Sequence, residues 1–406
     1  MSLDKLDAAL RADVAKLTDE GRAKPPERVI VAYVPASGRR GPRYRLRGAD
    51  REFLRMNSNS YLSLSNHPDV LAAADAASHA FGAGPGAVRF IDGTFAAHAE
   101  LEARIARFVG RSSARIFNSA YTSVLGLAIT LAGPDTFWIG DELNHNCIIR
   151  AMRIANVPSV QRAIFKHNDL ADLAAKLEQV PAATGRVVVI FDGIFSMRGD
   201  NAPVDAIASL VARHERRFRD GVVTVMDDSH GIGAYGPTGR GTEEHCGAKV
   251  DIFVGTFGKA FGVNGGFVAG SADLTEAVRQ KADTYIYTNP LGAADAAAAL
   301  RAVDVADSEE GRTRLARLKA RTDQFRAGLT SLGFESIPGP HPVVPLLVRQ
   351  TDRVRAMVST LFDRGILAVG LTFPVVPRGD ETIRFQINAA HTESDIDEVL
   401  DVLSKT

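Results

Sequence analysis

The stretch that decides the fold is residues 222–266, VVTVMDDSHGIGAYGPTGRGTEEHCGAKVDIFVGTFGKAFGVNGG. It opens with an apolar run typical of a buried strand, which ends just before Asp227 and is followed by His230. A second apolar run, 250–255, ends just before Thr256 and Lys259 on a glycine-rich turn. Because parallel strands end at the same edge of an open sheet, we expect these polar side chains to form one ligand site.

A carboxylate after one strand and a lysine after the next is the arrangement that holds pyridoxal phosphate. The carboxylate pairs with the protonated pyridine nitrogen, and the lysine bonds the aldehyde. Taken singly, Asp227 and Asp228 would be turn caps and Lys259 a surface lysine. Taken together they favour the cofactor, because Gly258 and Phe261 place the lysine in apolar surroundings where an unpaired ammonium is costly.

The rest of the chain suggests one large domain flanked by smaller parts. Apolar runs and helical runs alternate over 66–295, which predicts a large α/β domain with a mostly parallel sheet that binds the cofactor. Residues 1–65 are expected to form a helix and an arm, and 296–406 a smaller α+β domain. We expect helices at 1–24, 68–81, 98–109, 204–218, 293–332, 351–364 and 393–404, and strands at 186–191, 222–226, 251–255, 342–348 and 382–388.

Composition argues against several classes of partner. Lys plus Arg equals Asp plus Glu at 48 each, so no net positive charge attracts nucleic acid. The longest apolar stretches, such as 186–195, fall short of the roughly 20 residues of a membrane span. With two cysteines, Cys147 and Cys246, a disulfide framework is excluded and a cytoplasmic location is favoured. No HExxH or paired CxxC motif occurs, so we expect no metal.

Two motifs, DDSHG at 227–231 and GTFGKAFG at 255–262, resemble those of the α-oxoamine synthases, a family of fold-type I pyridoxal-phosphate enzymes. The likeness runs from about residue 50 to the C-terminus. It implies an aspartate-aminotransferase-like fold and a C-acyltransferase that condenses an amino acid with an acyl thioester, from acyl-CoA or an acyl carrier protein, to give an α-amino ketone.

The resemblance also assigns roles around the cofactor. Lys259, His230, His145 and Asp227 would be catalytic, with Lys259 as the Schiff-base lysine, Asp227 as the partner of the pyridine nitrogen and His230 near the phenolic oxygen. His145, in DELNH, would stack on the pyridine ring. The remaining cofactor contacts implied are Ser196 near the phenolic oxygen and, at the phosphate, Ser119, Ala120, Tyr121 and Thr256.

Four further residues concern the substrate and a second subunit. Arg384, in IRFQINAAHT, would clamp the substrate carboxylate, and Asn59, in NSYL, would also reach the substrate. Thr288 and Asn289 would reach the phosphate of the neighbouring subunit, so the resemblance implies a homodimer with shared sites. Val124 stands where the family has Asn, which predicts an altered substrate-facing wall.

The branch of the family is less sharply defined by the sequence. Segments 88–94 and 370–379 resemble 2-amino-3-ketobutyrate CoA ligase more than 8-amino-7-oxononanoate synthase, whereas 141–150 and 233–241 resemble serine palmitoyltransferase. Two other classes stay open: a pyridoxal-phosphate aminotransferase or aldolase that needs no acyl-CoA, and a cofactor-binding scaffold without turnover. The sequence leaves open the amino acid, the acyl chain and the loss of the carboxylate.

Overall fold

A computed structural model describes residues 2–373 and 376–406. Pro374 and Val375, part of the segment 370–379 used above to choose a branch, lie outside the described residues. The chain divides into two compact units, one formed by residues 59–319 and the other by 1–58 together with 320–406. These units are defined by compactness alone, and the expected domain limits at residues 65 and 295 stay a prediction.

The larger unit is built on a seven-stranded sheet with the order β4-β10-β9-β8-β7-β5-β6. Only β10 among these runs antiparallel to its neighbours, so the predicted mostly parallel sheet is confirmed. Its central strands are buried nearly end to end, as expected for a sheet covered on both faces. The strands are β4 Ser113–Phe117, β5 Thr136–Asp141, β6 Arg162–Phe165, β7 Arg186–Asp192, β8 Val222–Asp227, β9 Ile252–Thr256 and β10 Gly266–Gly270.

Ten helices of the larger unit, within the described residues, precede, connect or follow these strands. The predicted helix at 68–81 is found at those limits, because Pro68 suits the first turn, His67 caps it and Gly82 follows it. The helices are α2 Pro68–Phe81, α3 Ala96–Phe108, α4 Ala120–Leu131, α5 Asn146–Ile154, α6 Leu170–Gln179, α7 Val204–Ala212, α8 Thr242–Cys246, α9 Ala272–Lys281, α10 Asp283–Ile286 and α11 Ala293–Ala306.

The smaller unit contains two short sheets, with orders β1-β2-β3-β12 and β11-β14-β13. The boundary between the units falls within α12, and α1 precedes β1. The elements are α1 Ser2–Asp19, β1 Ile30–Val34, β2 Arg43–Leu46, β3 Glu52–Arg55, α12 Glu309–Ser331, β11 Val343–Leu347, α13 Thr351–Asp363, β12 Ile366–Leu367, β13 Val369–Leu371, β14 Thr382–Gln386 and α14 Glu393–Leu403.

Two helix expectations need correction. The helix expected over 293–332 is broken at Asp307 and Ser308 into α11 and α12, and the Ser308 hydroxyl accepts the Gly311 N–H, as at a helix start. The helix expected over 204–218 ends at Ala212, and a short 3₁₀ turn follows. Across the described part of the chain, no helix combines the length and apolar character that crossing a bilayer requires.

Candidate active site

Four parallel strands of the larger unit end at one edge of its sheet, and each ends on a polar residue. Asp141 ends β5, Asp192 ends β7, Asp227 ends β8 and Thr256 ends β9. Open α/β sheets bind ligands at the carboxyl edge of their strands. The stretch 222–266 therefore delivers its carboxylates and its lysine to the edge where the sequence predicted them.

A cavity opens at this edge, and it brings together most of the predicted cofactor residues. Lys259 lies half-buried on it, next to Ala260 and Phe261, which are fully buried, as the apolar-surroundings argument required. The cavity is lined by Ala120, Tyr121, His145, Cys147, Asp192, Ile194, Ser196, Asp227, Ser229, His230 and Lys259. The roles of these residues toward a cofactor stay predictions.

Asp227 and Asp228 point into different environments. One carboxylate oxygen of Asp227, Oδ1, accepts hydrogen bonds from the Ser229 N–H at 3.0 Å and the Ser229 hydroxyl at 2.5 Å. Asp228 instead accepts from the backbone N–H and hydroxyl of Thr242, at 2.8 and 2.6 Å, and is fully buried. Burial raises the pKa of Asp228 to about 7. Asp227 thus faces the cavity, while Asp228 ties the turn to α8.

Glycine is required around the Asp228 carboxylate. Added Cβ atoms at Gly193, Gly231 and Gly241 would collide with its oxygens, and Gly241 also has a φ of +89°. The spacing of glycines in the motif DDSHG and after it therefore reflects close packing on this buried acid.

His145 links the helix α5 to the cavity. Its side-chain Nδ1 accepts the Cys147 N–H at 3.2 Å, so His145 caps α5. The backbone N–H of His145 donates to Asp192 Oδ2 at 2.9 Å. Desolvation lowers the pKa of His145, although the nearby charge of Asp227 opposes this. An imidazole that caps α5 and lines the cavity is compatible with the predicted stacking, which stays a prediction.

The predicted phosphate turn is the start of α4. Ser119 is the N-cap: its hydroxyl accepts the Thr122 N–H at 3.1 Å, and the Thr122 hydroxyl accepts the Ser119 N–H at 3.1 Å. The start of this 12-residue helix, where Tyr121 is exposed, carries the partial positive charge of a helix N-terminus, which suits a phosphate. Val124 is buried in the core cluster, at 1% exposure, whereas Ala120 lines the cavity, and the altered substrate-facing wall stays a prediction.

Four predicted cofactor contacts lie outside the set of cavity-lining residues: Ser119, which caps α4, and Thr256, Thr288 and Asn289. The Thr256 hydroxyl donates to the Gly265 carbonyl at 2.9 Å and accepts the Gly258 N–H at 3.0 Å, so it is engaged in its own turn. Thr288 and Asn289 are exposed; the Thr288 hydroxyl donates to the Thr284 carbonyl, and the Asn289 carbonyl accepts from the Asn118 amide.

A residue that the sequence did not single out joins two that it did. The Tyr61 hydroxyl lies 2.7 Å from His230 Nδ1 and 3.3 Å from Asn59 Oδ1, and Tyr61 is fully buried. Asn59 is half-buried. Arg384 belongs to the smaller unit, half-buried on β14, where it pairs in register with Pro345 and Val369.

Comparison with known proteins agrees with this geometry. A family model described as aminotransferase class I and II matches residues 51–403. Human 2-amino-3-ketobutyrate coenzyme A ligase, named as mitochondrial, is 37% identical over 399 residues, which cover 98% of this chain and 91% of the relative. The 8-amino-7-oxononanoate synthase of Symbiobacterium thermophilum is 37% identical over 357 residues, covering 87% and 88%.

Solved structures give the same result. Serine palmitoyltransferase from Sphingomonas wittichii superposes with a TM-score of 0.87 at 26% identity, covering 99% of this chain and 97% of the other. A structure of SPT with PLP as internal aldimine gives 0.85 at 28% identity, with the same coverage. The chain belongs to the aminotransferase class I and II family and, within it, to the α-oxoamine synthases, fold-type I pyridoxal-phosphate-dependent C-acyltransferases.

Proposed function

We propose that this enzyme condenses glycine, serine or a similar amino acid with an acyl-CoA, in the manner of 2-amino-3-ketobutyrate CoA ligase. The 37% identity to the human relative of that name, over 98% of the chain, supports this branch. One structural observation carries the proposal. Lys259, Asp227, His145 and His230 line a single cavity at the carboxyl edge of the parallel sheet.

The residues around the cavity fit pyridoxal phosphate. A carboxylate suited to a protonated ring nitrogen, a lysine for the aldehyde and a helix start for the phosphate lie on one surface, at Asp227, Lys259 and Ala120. When bound, this cofactor acts as an electron sink that makes the α-proton of an amino acid acidic.

The side chains then divide the proton transfers among them. The Lys259 amine takes the α-proton of the amino acid, and the Asp227 carboxylate would pair with the ring nitrogen. The Tyr61 hydroxyl lies 2.7 Å from Nδ1 of His230 and orients its ring, and His230 assists the thioester carbonyl oxygen. Desolvation lowers the pKa of His145, which would stack over the ring.

Substrate anchoring falls to polar groups near the cavity and in the smaller unit. The Asn59 amide, held by Tyr61, reaches the amino acid, and the Arg384 guanidinium binds its carboxylate bidentately.

A homodimer is part of the proposal. Tyr287 is 73% exposed beside Thr288 and Asn289, and Phe90 is 62% exposed, so these large side chains are accessible to a partner. Separately, the leucines of α1 form an exposed stripe. A second copy covers such surfaces and brings Thr288 to the partner's phosphate.

Two free thiols support a cytoplasmic location, and cell fractionation tests it.

The test is thiol release. The purified holoenzyme is mixed with a panel of amino acids and with short-, medium- and long-chain acyl-CoAs, and free CoA is measured. Release that needs both substrates supports the proposal. An aminotransferase or aldolase would consume the amino acid without releasing thiol, and a scaffold would show no spectral change with any amino acid; either result contradicts the proposal.

A matched pair of variants separates the site from general effects. Lys259→Ala removes the proposed base and is expected to abolish thiol release. Lys249→Ala removes an exposed lysine and is expected to leave release unchanged.

Sedimentation of the holoenzyme tests the dimer, and a monomer with full activity contradicts it.

A further inference from the structure

A second buried carboxyl group, Asp192, lies beside Asp227. The parallel strands β7 and β8 pair with Asp192 opposite Asp227, and each residue is the last of its strand. Both are buried, at 4% and 7% exposure, and both line the cavity. Two carboxylates that share a buried site cannot both ionise without a large penalty, so such a pair tends to hold one proton.

Hydrogen-bond donors are distributed unequally between the two acids. Asp227 accepts two hydrogen bonds from Ser229, and the Cys147 thiol lies 3.8 Å from its other oxygen. Asp192 accepts one, from the His145 N–H at 2.9 Å, through Oδ2. Its Oδ1 is buried and finds no hydrogen-bond partner within residues 2–373 and 376–406. Because donors stabilise an ionised carboxylate, this arrangement favours the negative charge on Asp227.

The charges that face Asp192 point the same way. Burial raises the pKa of Asp192 well above its usual range, and the negative charges of Asp227 and Asp141 add to the rise. The His145 N–H and the Lys259 ammonium oppose the rise without overcoming it.

We propose that Asp192 is a positioning residue that stays protonated, holds the His145 backbone in place and leaves the negative charge of the pair on Asp227. This inference rests on the proposed function of the cavity and deepens it. A single charge is then focused on the place assigned to the ring nitrogen. The His145 N–H is held by an acceptor that adds no second charge.

The test compares neutral isosteres at the two acids in the holoenzyme. Asp192→Asn keeps the shape and an acceptor for the His145 N–H, and it imitates a protonated acid. It is expected to bind pyridoxal phosphate within about threefold of the wild type and to keep the pH midpoint of the bound cofactor's visible absorption. Asp227→Asn, the matched control, is expected to weaken binding about tenfold or more and to shift that absorption.

Asp192→Ala tests whether Asp192 positions His145 or whether the site simply tolerates substitution of Asp192. It removes the acceptor for His145, so the cofactor spectrum and kcat are expected to change, and Asp192→Asn is expected to restore the spectrum. The proposal is overturned if Asp192→Asn weakens cofactor binding as much as Asp227→Asn, or moves the midpoint by about one pH unit. It is also overturned if the Ala and Asn variants behave alike.

Failure of Asp192→Asn to fold would also count against the proposal. If Asp192 is protonated, replacing it with a neutral amide of similar shape changes no charge and should leave the fold intact. Cofactor affinity and absorption do not depend on acyl transfer. A wild type that binds the cofactor but releases no thiol would therefore refute the proposed function. The protonation of Asp192 would still be decided by the cofactor affinity and absorption of its variants.

Discussion

Replacing His167 with Gln should remove a pH-dependent part of the stability. His167 Nδ1 lies 3.1 Å from Asp141 and Nε2 lies 3.2 Å from Asp200, and its side chain is 14% exposed. Burial alone would lower the pKa of His167, but the hydrogen bonds and charges of Asp141 and Asp200 outweigh it and raise the pKa to about 9. The imidazole packs edge-on against Phe195, at 4.3 Å between ring centroids, on the loop that leads to Ser196.

The magnitude follows from linkage. Because the folded pKa lies above the unfolded value, the charged histidine stabilises the fold fully below about pH 6.5, and this contribution is lost as the pH rises through about 9. The rise from 6.5 to about 9 corresponds to about 3 kcal/mol, at about 1.4 kcal/mol per pH unit.

Urea unfolding of the wild type and His167→Gln at pH values from 6 to 10 measures this term. The difference in unfolding free energy between the two proteins should shrink by about 3 kcal/mol across that range. Titrations shared by both proteins cancel in the difference. Two curves that stay parallel to within about 1 kcal/mol would refute the reasoning.

Two further substitutions test other contacts. Tyr61→Phe removes the hydroxyl at His230 and should lower kcat/KM about tenfold with little change in Tm, so an unchanged kcat/KM in steady-state assays would count against this role. Arg43→Met leaves Asp395 buried without its 2.7 Å partner and should cost about 3 to 5 kcal/mol in urea unfolding, whereas Arg349→Met, at an exposed pair, should cost below about 1 kcal/mol; similar losses would contradict the argument.

The sequence predicted the parts of the fold that rest on local signals. The apolar run predicted as a strand at 186–191 became the buried parallel strand β7, since a sheet covered on both faces favours continuous apolar residues. Pro68 and Gly82 marked the limits of α2. The break between α11 and α12 was missed, because alanine-rich and Arg/Leu-periodic residues run on through Asp307 and Ser308 as a continuous helix pattern.

The same division holds in the site. The placement of Lys259 and Asp227 on one cavity could be predicted, because they follow apolar runs that form adjacent parallel strands. Asp192 could not, because its importance depends on β7 pairing with β8, which no local pattern encodes. Tyr61 was quoted as part of a turn motif, and only the structure shows its hydroxyl at His230.

Borohydride reduction of the holoenzyme tests the central claim most directly, because it fixes the bond between the cofactor aldehyde and its lysine. Peptide mass mapping after reduction should find the pyridoxyl label on Lys259 and leave Lys249 and Lys281 unmodified. Label on another lysine, or none on Lys259, would contradict the account.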